Sequence, residues 1–186
     1  MSTELSEDAL RLLPSSEEAP KCSSYSRLIN ADPCGTALAV EALILIETPL
    51  PWPKPVFDHP LLKGFSSIVA TSLGLTRVLA RVPRDEDPGI GIFVYQRDEV
   101  GVKSWTFRPQ GPSDLAQFAS NIRTVTPDQL TTTPGSLDPP ELAVLICTQG
   151  SHDICCGSEG TKLADELEER APGLHVLRIS HTGGHR

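Results

Sequence analysis

The sequence predicts an α/β fold, and three observations predict it. Short apolar runs that suit buried strands recur along the chain. Apolar residues at helical spacing stand between them. Two turns rich in cysteine, histidine and glycine then follow two of the expected strands.

The first strand is expected over residues 41–48 (EALILIET), a continuous apolar run with polar ends. Residues 49–55 follow, with Pro49, Pro51, Pro53 and Pro55 at alternate positions. They form an extended loop, because proline bars both helix interior and central strand. Apolar residues at 61, 62, 65, 68, 69 and 73 fit one helical face, with Gly74 as its C-cap. Strands are expected at 77–82, 91–96 and 102–107. Pro112, Ser113 and Asp114 start a helix carrying Leu115, Phe118, Ala119 and Ile122. Residues 124–140, rich in Pro and Thr, read as a linker. Beyond it come a strand at 143–147 (AVLIC), an amphipathic helix at 161–171 and a strand at 175–179. The expected organisation is therefore a tail over 1–20, an N-terminal α/β lobe over 21–123, the linker, and a β-turn-α-β lobe over 141–186. A right-handed crossover makes the last two strands parallel and can bring together the turns that follow them. The N-terminal lobe has a similar strand–helix–strand order, which raises a structural duplication.

The 186 residues are 39% hydrophobic, enough for a real core. A formal net charge of −8 argues against nucleic acid and anionic membrane as partners. No segment reaches the roughly 18 apolar residues of a membrane span. The N-terminus is acidic and unlike a leader, so a cytoplasmic setting is expected. The five cysteines, Cys22, Cys34, Cys147, Cys155 and Cys156, are an odd number. In a reducing compartment such clustering leans toward metal or redox roles.

The two turns are CTQGSHDICCG at 147–157 and SHTGGHR at 180–186. Two Cys from one and two His from the other would complete a four-ligand shell. Such a shell suits either a mixed [2Fe–2S] centre or a tetrahedral zinc ion. Gly183 and Gly184 let His181 and His185 turn toward one metal. Adjacent cysteines project differently, so one of Cys155 and Cys156 is the expected ligand. The competing reading makes Cys147 a core thiol and the histidines a surface pair or a phosphate-binding turn. Asp153 is placed as a cap for the following turn. Cys22 and Cys34 are read as ordinary thiols, and His59 and His175 as structural. Trp52 and Trp105 are read as core or interface anchors. A thiol oxidoreductase is disfavoured because the chain lacks C-x-x-C.

At these motifs the chain resembles the sucrase/ferredoxin-like family, a branch of the thioredoxin-like [2Fe–2S] ferredoxins. A weaker match runs upstream through Cys22, Gly35, the EALILIETP strand and Pro51-Trp52-Pro53. The resemblance implies thioredoxin-like lobes and a [2Fe–2S] cluster bound by Cys147, Cys156, His181 and His185, with Cys155 as the alternative. It implies an electron carrier or redox sensor acting with a redox partner protein, rather than a catalyst. A zinc-stabilised or metal-free thioredoxin-like binding protein is the alternative. His152 stands where the family commonly has a basic residue, with a tuning role or none. Family members usually continue past HxGGHR with a further apolar strand, whereas this chain stops at Arg186, so the C-terminal lobe is expected to be incomplete.

Overall fold

Side chains along a strand alternate between faces, and Ala42–Glu47 (β1) is apolar on both. Ile44 and Ile46 enter one buried cluster and Leu45 another, all without solvent exposure. A strand buried on both sides belongs at the centre of a sheet. In the computed structural model, which describes residues 30, 39–83, 90–97, 99, 101–124, 126 and 143–182, β1 holds that place. Its neighbours are β3 (Gly74–Arg81), parallel, and β4 (Ile92–Arg97), antiparallel. β5 (Val102–Phe107) closes one side. β7 (His175–Ile179) and β6 (Ala143–Cys147) extend the other. The order is β5-β4-β1-β3-β7-β6, with β2 (Ile68–Thr71) beside β3. Strands from both expected lobes thus share one curled α/β sheet.

One expectation fails. Residues 61–73 are not a helix: 3-10 turns at Val56–Asp58 and Pro60–Leu62 lead into β2, which forms a hairpin with β3. Apolar spacing alone did not separate the two outcomes. Gly64 has φ 91°, which breaks a helix, and the β-branched residues Ile68, Val69 and Thr71 favour a strand. Gly74, expected as a C-cap, makes the hairpin turn at φ 95°, and a Cβ there would meet Glu41 Cβ at 2.8 Å. Without that helix, the two halves no longer share the strand–helix–strand order that suggested a duplication.

The other expected elements form. α1 (Pro112–Asn121) starts on Pro112, and Asp114 accepts from the Gln110 N–H at 2.9 Å. Its Leu115, Phe118 and Ala119, with Ile122 directly after it, pack on one sheet face with Trp52, Val56 and Leu62. Phe118 stacks on Phe107, centroids 5.5 Å apart. The Trp52 indole N–H donates to the Thr48 carbonyl at 2.9 Å, anchoring the proline loop. On the other face Leu45, Leu79 and Phe93 meet Leu177 and Ile179 of β7. β6 and β7 are parallel, as the crossover required, with α2 (Thr161–Arg170) packed against both. Ala164 is the buried residue of α2, whereas Leu163, placed on the same face from sequence, is exposed. The tail, Cys22, Cys34, His185 and nearly all of the linker lie outside the described residues. Among the described residues no helix is long and apolar enough to cross a membrane.

β7 meets β3 only at its C-terminal end. Arg81 pairs with Ile179, the Val82 N–H donates to Arg178 O and the Ser180 N–H donates to Ala80 O, both at 2.9 Å. Beneath this seam Arg81 and Glu47, 2% and 1% exposed, lie 3.3 Å apart. The Arg81 guanidinium also sits 4.2 Å from the Phe93 ring centroid, and Glu47 accepts from the Gly91 N–H at 2.8 Å. Removing one member of a buried pair strands the other's charge. Arg81→Met should cost about 3–5 kcal/mol. Replacing both partners with apolar residues should cost far less. Chemical denaturation midpoints of the single and double variants test this, and equal losses would show that packing, not charge, holds the seam.

Candidate metal centre

β6 and β7 end side by side, with Cys147 paired to Ile179 and the Thr148 N–H donating to Ile179 O at 3.0 Å. The chain therefore leaves both strands at the carboxyl edge of the sheet, where α/β folds collect their sites. His181 follows β7 by two residues. Cys156 returns to the same point because the intervening turn is tightly folded. The His152 and Asp153 N–H groups both donate to Gln149 O, and the Cys156 N–H to Asp153 O. The Asp153 carboxylate caps the Cys155 N–H at 3.0 Å, as expected. Cys156–Gly160 then forms a π-helical turn that runs into α2.

Two glycines make this folding possible. A Cβ on Gly157 would lie 2.6 Å from the Gly150 Cα, and one on Gly160 would collide with the Cys147 carbonyl oxygen. The sequence marks these positions only as glycines in a cysteine-bearing turn; the contacts are tertiary.

The structure brings Cys147, Cys156 and His181 together, with their ligating atoms all within 4.8 Å of one another. Cys155, though beside Cys156 in sequence, is outside that group. The group is spaced to hold a metal ion. The His152 ring stacks on His181, centroids 3.7 Å apart and 15° between planes. Lys54 of the proline loop donates to the His152 carbonyl at 2.8 Å.

Gln149 is the residue that sequence reasoning missed. Only 3% exposed, it accepts from the His181 N–H at 3.0 Å and donates to the Pro53 carbonyl at 2.8 Å. One carboxamide thus links both motif turns and the proline loop. The His181 carbonyl accepts from Arg77 at 3.1 Å, so both backbone polar groups of His181 are held. Burial lowers the Arg77 pKa. Nothing in the sequence distinguishes Gln149 from any polar turn residue.

The thiols are coupled. Cys147 is lowered to about 7, chiefly by a hydrogen bond from the Cys156 thiol. Backbone hydrogen bonds involving Gln149 and Thr182 add to this, while burial and the Asp153 charge oppose it. Cys156 is pushed far up, because it holds the proton it shares with Cys147, is partly buried and faces two other sulfurs. Cys147 is therefore the more readily ionised thiol of the metal-free pair.

A family model described as sucrase/ferredoxin-like matches residues 33–186. The chain belongs to the sucrase/ferredoxin-like family. No curated protein and no solved structure matches it. As a family member it carries its Cys/His group in the two motifs that mark the resemblance.

Two outcomes are expected. The depressed Cys147 pKa by itself contributes stability that is lost as pH falls through about 7, while the raised Cys156 pKa acts against the fold above the usual thiol range. Iodoacetamide should accordingly alkylate Cys147 of the metal-free chain with a half-maximal rate near pH 7. Cys156→Ala should move that midpoint upward; an unmoved midpoint would remove the thiol hydrogen bond as its cause. Gly160→Ala should cost about 1–3 kcal/mol by overpacking, although alanine is the better helix former. It should also weaken zinc binding, roughly tenfold for each 1.4 kcal/mol lost at the site. Gly173→Ala, which meets open space, is the control. Matching zinc affinities in the two variants would show that the site tolerates the shift.

Proposed function

We propose that this protein is a [2Fe–2S] ferredoxin-like electron carrier or redox sensor, its cluster held by Cys147, Cys156, His181 and His185. The observation that carries this reading is the convergence of Cys147, Cys156 and His181 within 4.8 Å, in a chain of the sucrase/ferredoxin-like family. His185 lies outside the described residues and is assigned as the fourth ligand from its place in the second motif. The donor set fits the group: two soft thiolates and imidazole are ligands that iron–sulfur centres use.

When bound, the cluster supplies one-electron redox chemistry. The chain's own residues set its environment. Cys147 and Cys156 bring negative charge, and the backbone hydrogen bonds at the Cys147 sulfur from Gln149 and Thr182 partly offset it. Hydrogen bonds to sulfur and the exchange of thiolate for neutral imidazole both raise a cluster's potential. Gln149 and Arg77 hold the His181 backbone, and the stacked His152 ring limits its tilt. On this reading the protein acts in the cytoplasm with a redox partner protein.

A zinc site is the competing reading. A tetrahedral ion with Zn–S bonds of about 2.3 Å separates its ligand atoms by about 3.8 Å, which donors this close also suit. Protein made anaerobically with ample iron decides between them. It should be brown and hold two iron and two sulfide per chain. Stoichiometric zinc without labile sulfide would overturn the proposal. Cys147→Ser and Cys156→Ser should each empty the site, whereas Cys155→Ser should retain most of the metal. A site emptied by Cys155→Ser alone would reverse the assignment within the pair.

A further inference from the structure

The sequence lacks C-x-x-C, yet the fold assembles a dithiol from distant positions. Cys147 at the end of β6 and Cys156 in the π-helical turn are hydrogen-bonded through their thiols, with sulfurs within 4.8 Å. The Cys155 thiol is hydrogen-bonded to Cys156 in turn. All three are partly exposed, so a small oxidant reaches them. A disulfide requires sulfurs about 2 Å apart, and neighbours in sequence close it only as a small strained ring. Cys147 and Cys156 are therefore the favoured pair.

We infer that Cys147 and Cys156 of the metal-free chain form a peroxide-oxidisable dithiol, and that its disulfide closes the site to metal. The Cys147 sulfur attacks a peroxide oxygen. The O–O bond breaks, an S–O bond forms, and the departing oxygen leaves as water with the thiol proton. The Cys156 sulfur then attacks the sulfenic sulfur. The S–S bond forms, the S–O bond breaks, and a second water leaves with the Cys156 proton. One peroxide is reduced by two electrons to two waters, and two thiols become one disulfide. Neither sulfur then has a thiolate charge to offer a metal. The inference concerns the metal-free chain and stands whichever metal the site takes.

The test uses the full chain, stripped by a chelator, reduced, and freed of reductant without air. One equivalent of hydrogen peroxide should remove two thiols and lower the mass by about 2 Da, the two thiol hydrogens. Cleavage before Asp153 should leave the Cys147 and Cys156 peptides joined. Cys155→Ser should still form the bridge, and Cys156→Ser should not. Zinc ion should bind the oxidised chain roughly a hundredfold more weakly, with dithiothreitol restoring it. Oxidation of Cys147 to sulfinic acid without a bridge, or a bridge to Cys22, Cys34 or Cys155, would overturn the inference. So would an oxidised wild-type chain that binds zinc ion as tightly as the reduced one. Peptide mapping of the wild type stands even if a variant fails to fold.

Discussion

The seam between β3 and β7 is the constraint on which the rest of this structure depends. Each edge of a strand offers one row of hydrogen-bonding groups. β1 occupies one edge of β3 along its length, while β2 and β7 divide the other. β2 takes residues 74–77, leaving the end of β3 for β7. Ser180, fully buried, ties the join twice: its N–H donates to Ala80 O, and its hydroxyl accepts from the Ala80 N–H at 3.0 Å. His181 is the next residue, so the seam that joins the sheet also places the imidazole.

An ion pair beneath that seam would be costly in isolation, since burying charge forfeits hydration. Here the arrangement supplies several partial compensations. Glu47 is met by Arg81 and by the Gly91 N–H, and Arg81 also faces the Phe93 ring. These contacts connect β1, β3 and β4 at the point where β7 joins. They tie those strands together two residues before the chain reaches His181 from Ile179, the partner of Arg81.

The site is built from turns, and it depends on one amide and two glycines rather than on a packed core. Gln149 ties the first motif to the second and to the proline loop. Gly157 and Gly160 permit the backbone approach that returns Cys156 to Cys147. Sulfur chemistry follows from that return. Thiols this close can share a proton, a metal or a covalent bond. On the proposed reading, metal binding and disulfide formation would compete for the same two sulfurs.

The sequence by itself determined the α/β class, most strands, both helices of the described residues and the two motifs. These follow from apolar periodicity, proline and glycine punctuation, and residue chemistry, all of which act locally. It misled at residues 61–73, where six apolar positions suited a helix but the space beside β3 called for a strand. It left Cys155 and Cys156 nearly equivalent, since neighbours share composition and differ only in direction. Tertiary structure placed Cys156, and not Cys155, against Cys147 and His181. It also gave roles to Gln149, Lys54 and Arg77, whose partners lie 32 to 104 residues away in the chain. The physical reason is range: a local pattern sets how a segment folds, but a hydrogen bond across the sheet exists only once the sheet has formed.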